Sequence, residues 1–199
     1  LRFQQGRASE LVEGMEKRAE SPAVPVMTRC LLALLYSELN REKEASVLLQ
    51  NLLPVLRRLG LEPSRLAAIS TAAVVSCHLA DRDMALEFHE MLGPYSQQFV
   101  GYPTMWLGSV DHFLGMLETE LGRWDDAQRH FQAAELTHLR MAALPCLAQT
   151  RLQWARMLLG SRGDAQQARE LLRHSLATAR ELGLLNVERR AAALLTECS

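Results

Sequence analysis

Residues 112–134 read HFLGMLETELGRWDDAQRHFQAA. An apolar helical run ends at Gly122-Arg123, and a second run follows at once. Leu114, Leu117 and Leu121 lie three and four residues apart, so they share one helix face. Ala127, Phe131 and Ala134 do the same on the second run. Gly115 and Ala127 lack bulk, which lets two antiparallel helices approach at the short end of the usual range of about 8–10 Å. Gly122 suits the left-handed stop that closes a helix. Asp125 and Asp126 fall in the next helix's first turn, where carboxylates match the dipole.

The unit recurs. Taking the alanine after each turn, Ala45, Ala85, Ala127 and Ala168 stand 40, 42 and 41 residues apart. A chain with that period folds into stacked helical hairpins. The expected fold class is all-α, an α-solenoid of tetratricopeptide-like hairpins wound as a right-handed superhelix. Its period of about 41 residues exceeds the standard tetratricopeptide repeat of about 34, so helices or links are longer here. HEAT-like stacking is the alternative, but Gly-Arg-Trp at the turn and Ala127, Phe131 and Ala134 after it favour the tetratricopeptide type. The whole chain, 1–199, reads as one array. It has a half repeat at 1–20, hairpins at 26–60, 63–93, 104–140 and 143–182, and a half repeat at 185–198. Gln5-Gly6-Arg7 resembles a turn. Pro54 should kink or break its helix. Residues 93–103 read as the longest irregular segment, and the central hairpin begins near Thr104. Starting at Leu1 with half a hairpin, the sequence reads as a piece of a longer protein.

Composition narrows the function. The net charge is −1, so no field draws nucleic acid or an anionic membrane, and no apolar run approaches the ~20 residues of a membrane span. Two lysines, Lys17 and Lys43, stand against twenty arginines, which removes most candidates for a catalytic lysine. Cys30, Cys77, Cys146 and Cys198 are scattered and read as small apolar residues in a reducing compartment. There is no phosphate-cradling glycine motif and no H-E-x-x-H or G-x-S-x-G. His130 and His138, eight apart, are too distant on a helix to share a metal. Asp81-Arg82-Asp83 and Trp124-Asp125-Asp126 read as helix starts rather than catalytic pairs. The chain is expected to be non-enzymatic, with no cofactor and no metal.

Two regions are candidates for contact. Tyr95, Phe99, Tyr102, Trp106 and Phe113 are five of the eleven aromatics within nineteen residues. They either pack onto the neighbouring hairpin or anchor a partner. The first helix of each hairpin should line a concave groove, with Cys30, Leu34 and Ser37, then Ser70, Val74 and Cys77, then His112, Met116 and Thr119, then Leu152 and Arg156. This lining is small and apolar. The candidate binding residues are therefore Tyr95, Phe99, Tyr102, Trp106, His112, Met116 and Arg156.

The stretches GPYSQQFVGYP, LGSVDHFLGMLETELGRWDDAQRHFQAA, ARMLL and LATARELG resemble the C-terminal tetratricopeptide-like region of large bacterial signalling ATPases. These are similar to multidomain nucleotide cyclases and LuxR-type transcriptional regulators. The resemblance covers most of the chain and is strongest over Leu92 to Ala134. It implies a cytoplasmic regulatory scaffold that contacts a protein or peptide partner, or other domains of its own parent chain. The alternative is a sensor holding a small-molecule inducer in the groove near Trp106, His112 and Arg156. Exposed array ends or the 93–106 segment should give some homodimer.

Overall fold

The computed structural model describes residues 9–19, 21, 24–60, 64–102, 105–161 and 163–198, with the side chains of 9–10, 102 and 105–106 outside that description. Ten α-helices carry the fold: α1 (Ser9–Ala19), α2 (Val26–Glu38), α3 (Glu42–Arg58), α4 (Arg65–His78), α5 (Arg82–Leu92), α6 (Val110–Leu121), α7 (Trp124–Arg140), α8 (Leu144–Gly160), α9 (Ala165–Leu182) and α10 (Leu185–Glu197). The fold is all-α, with one small β-ribbon inserted before α6. No described helix is long and apolar enough to cross a membrane.

The helices pair as the repeat predicts: α2 with α3, α4 with α5, α6 with α7, and α8 with α9. Each of α4, α6, α8 and α10 also packs on both helices of the preceding hairpin. The two layers differ for a reason visible in sequence. Outer helices bury one narrow stripe at helical spacing, such as Ala45, Leu49, Leu52 and Leu56 on α3. On α7 the stripe is Ala127, Phe131, Ala134 and His138. Inner helices α4 and α6 are buried along most of their length, because neighbours flank them on several sides. Each fully buried leucine contributes about 2 kcal/mol, so the stripe is what attaches an outer helix.

One turn device recurs. A residue in left-handed conformation closes the helix, and the amide after it donates to the carbonyl five residues back. Arg41 N–H donates to Tyr36 at 2.9 Å, Asp81 to Ser76 at 3.0 Å, Arg123 to Glu118 at 2.8 Å, Ala143 to His138 at 2.9 Å and Leu184 to Ala179 at 2.8 Å. The left-handed residues are Asn40, Ala80, Gly122, Ala142 and Gly183. Gly122 and Gly183 were legible as stops. Ala80 opens the turn expected at Ala80-Asp81-Arg82-Asp83; Ala142 was not legible, since alanine carries a steric cost in this conformation.

Three expectations are corrected or bounded. Pro54 does not break its helix, which runs from Glu42 to Arg58. Pro54 lies on the exposed side of that helix. The 93–103 segment is not irregular throughout, and the central hairpin's first helix does not begin near Thr104. Gly93–Tyr95 forms a 3-10 turn, and β1 (Phe99–Tyr102) pairs antiparallel with β2 (Met105–Ser109). Helix α6 starts only at Val110, capped by Ser109 Oγ. The Gln5-Gly6-Arg7 turn lies outside the described residues, but α1 packs on α2 as the half repeat requires. Tyr36 Oη donates to Glu16 at 2.9 Å across that contact.

The row of inner helices curves until its last member meets its first. Arg190 Nη2 on α10 donates to both carboxylate oxygens of Glu38 on α2, each at 2.9 Å, across 152 residues of sequence.

Candidate functional site

The inner helices border a partly open chamber of about 1090 Å³. Helix α1 contributes Leu11 and Met15, α2 contributes Leu31, Leu34 and Leu35, and α4 contributes Thr71 and Val74. Phe99 and Leu107 enter from the β-ribbon, and His112, Phe113 and Met116 from α6. Cys146, Gln149, Leu152 and Gln153 of α8 and Asn186, Val187 and Arg190 of α10 also line it, with Glu38, His78 and the α7–α8 turn at Met141, Ala142 and Ala143. The lining is mostly aliphatic and aromatic with a few polar groups, the usual character of a small-molecule pocket. A second, smaller hollow of about 320 Å³ adjoins it through shared residues His78, Leu152, Gln153 and Arg190.

The sequence-derived candidates divide. His112, Met116 and Phe99 line the chamber. Arg156 lines the smaller hollow and reaches Glu120 at 3.4 Å. Tyr95 is in neither: its hydroxyl accepts from Arg65 Nη1 at 2.6 Å, tying the 3-10 turn to α4. The side chains of Tyr102 and Trp106 lie outside the described residues. The aromatics therefore do not act as one patch. Of the expected groove lining, Leu34, Val74, His112, Met116 and Leu152 face the chamber, and Ser37 and Arg156 face the hollow. Cys30, Ser70 and Cys77 are buried. Thr119 donates to the Gly115 carbonyl at 2.7 Å.

A polar chain runs behind the His112 wall. Ser109 N–H donates to His138 Nε2 at 2.8 Å. Thr150 Oγ1 lies 3.2 Å from His138 Nδ1 and 3.0 Å from His112 Nδ1. Burial is the main cause that pushes His112 down to about 3 and His138 down to about 4, so both rings are neutral near pH 7. The same network holds the ribbon. Asp111, fully buried, accepts from Ser96 Oγ at 2.8 Å, Gln97 N–H at 3.1 Å and Ser109 Oγ at 3.0 Å. Gly108, at φ +115°, passes so close to His138 that a Cβ there would sit 3.0 Å from Nε2.

At the other end of the chamber, His78 Nδ1 lies 3.0 Å from Ser37 Oγ. Ser37 Oγ itself donates to the Leu34 carbonyl, so His78 Nδ1–H is the donor. Burial, with Arg190 and Arg156 nearby, pushes His78 down to about 4. A separate cluster lies between α5, α6 and α7. The buried Glu118 accepts from His89 Nε2 at 3.0 Å and from His130 Nδ1 at 2.6 Å. Burial pushes Glu118 up, but these hydrogen bonds outweigh it and hold the carboxyl below its ordinary value. The bond to Glu118 raises His130.

Cys30, Cys77, Cys146 and Cys198 are free thiols, and burial pushes Cys30 up to about 12 and Cys146 up to about 11. No group of three His, Cys, Asp or Glu side chains among the described residues is placed to hold a metal. His138, Thr150, Gln149 and Gln153 were missed in the sequence, because no motif links residues on separate helices.

No family model and no curated protein matches the chain. Among solved structures, the crystal structure of BtubC (BKLC) from P. vanneervenii is similar, with TM-score 0.53 and 17% identity over 98% of this chain and 88% of that one. At that identity the likeness shows the fold alone.

Proposed function

We propose that this chain is a non-enzymatic, ligand-binding regulatory array, in which a small molecule occupies the chamber between the inner helices. The observation that carries this reading is the chamber itself: about 1090 Å³ lined mainly by apolar side chains, with His112, Gln149, Gln153 and Asn186 placed among them. Every inner helix contributes to the wall, so an occupant touches the whole row and can bias how the hairpins sit on one another. The resemblance to the repeat regions of bacterial signalling ATPases supports a cytoplasmic setting and a parent chain that reads this change.

A thermal-shift screen of apolar metabolites tests the proposal. An occupant at a hundred times its Kd should stabilise the fold by about 2.7 kcal/mol. The chamber-filling variant Val74→Trp should lose that response while remaining folded. If no compound stabilises the protein, or Val74→Trp responds as the wild type does, the reading fails.

A protein-scaffold reading has one observation in its favour. Leu136, Leu139, Met141 and Leu144 are about 39–54% exposed around the α7–α8 corner, and clustered exposed apolar side chains mark contact surfaces.

A further inference from the structure

We propose that the chamber takes an uncharged, largely apolar molecule bearing an acceptor oxygen, and that His112 Nε2–H holds that oxygen by a hydrogen bond. The proposal rests on reading the chamber as a ligand site, and it names the chemistry of the occupant.

The donor's direction follows from a backbone amide. Ser109 N–H can only donate, so His138 Nε2 must present a lone pair. In the neutral ring the proton then sits on Nδ1, which donates to Thr150 Oγ1. The Thr150 hydroxyl in turn donates a hydrogen bond to His112 Nδ1. His112 is left with its proton on Nε2, and none of the described residues accepts from that atom. The side chain is 4% exposed and lines the chamber. Nε2 is not among the buried side-chain atoms that lack a partner, so it opens onto the chamber, where an arriving oxygen can accept its hydrogen bond.

Charge points to a neutral occupant. The ionisable side chains on the described wall are Glu38, Arg190, His78, His112 and Cys146. Glu38 and Arg190 neutralise one another. The two histidines and the thiol are held uncharged by burial. A carboxylate or ammonium moved into this space finds no free counter-charge.

The test is displacement of Nile red by methyl decanoate, undecane and decanoate. Wild type should bind the ester at least tenfold more tightly than the carboxylate. The ester-to-undecane affinity ratio should fall roughly three- to tenfold in His112→Leu. Thr150→Val should lower it likewise, and Thr150→Ser should restore it, which marks Thr150 as a positioning residue. Should either variant fail to fold, side-chain proton–nitrogen correlation on wild type decides. His112 must carry its proton on Nε2, and that signal must move with methyl decanoate but not with undecane. Tighter binding of decanoate, an unchanged ratio, or a proton on His112 Nδ1 overturns the inference while leaving the chamber as a binding site. If none of the three displaces Nile red and none stabilises the fold, the binding-site reading falls with it.

Discussion

Gly115→Ala sets two known effects against each other, and the contact geometry decides the sign. Gly115 sits inside α6, where alanine is favoured over glycine by about 1 kcal/mol from propensity alone. A Cβ there would lie 2.9 Å from Phe131 Cδ1 and Cε1 and 3.0 Å from Cγ. Ordinary contact begins several tenths of an ångström further out. Phe131 is fully buried on α7, between Ala127 and Ala134, so its ring has no free space to retreat into. Overpacking of this kind costs roughly 1–3 kcal/mol, and three ring atoms in contact place it near the top of that range. Gly115→Ala should therefore destabilise by about 1–2 kcal/mol, a loss of roughly 3–6 °C in Tm for a chain of this size. Phe131→Leu removes the clash and costs about 1–2 kcal/mol of burial. In that background Gly115→Ala should become neutral or stabilising, a coupling of about 2 kcal/mol between the two sites. Urea denaturation of the four proteins measures it. If Gly115→Ala raises stability by about 1 kcal/mol in both backgrounds, α6 and α7 do not approach as described.

Three further outcomes follow from the same structure. Ala80→Gly should stabilise by about 1 kcal/mol, because Ala80 holds φ +52° and glycine removes the left-handed penalty; an unchanged urea midpoint would contradict this. His112, His138 and His78 have folded values lowered to about 3, 4 and 4, so the unfolded chain takes up protons first as pH falls below about 6.5. Stability is fully present above that pH and should be lost on acidification by up to about 1.4 kcal/mol per pH unit for each ring; a flat stability curve from pH 7 to pH 5, by chemical denaturation, would refute it. Glu118→Gln should cost roughly 2 kcal/mol, since a neutral amide replaces the carboxylate that joins His89 and His130; a change under about 0.5 kcal/mol would show that the cluster contributes little.

The helices and their pairing were legible in the sequence because their causes are local. Apolar residues at helical spacing specify a stripe, as with Ala127, Phe131 and Ala134, and a glycine such as Gly122 ends a run with its own backbone freedom. That Gly115 is small where two helices approach was also readable; that it faces Phe131 was not. His112, Met116 and Phe99 were recognisable as candidates, but not what joins them. The β-ribbon escaped notice because its pairing depends on Asp111 and His138 gripping its ends more than on its own alternation. The alignment of Ser109, His138, Thr150 and His112 depends on three helices and the ribbon. The chamber is lined by six helices and the ribbon, with Arg190 of α10 reaching Glu38 of α2. Periodicity determined which segments become helices and which face each buries. Only the packing of each hairpin on the next, through contacts far apart in sequence, decided which polar groups meet and what space they border.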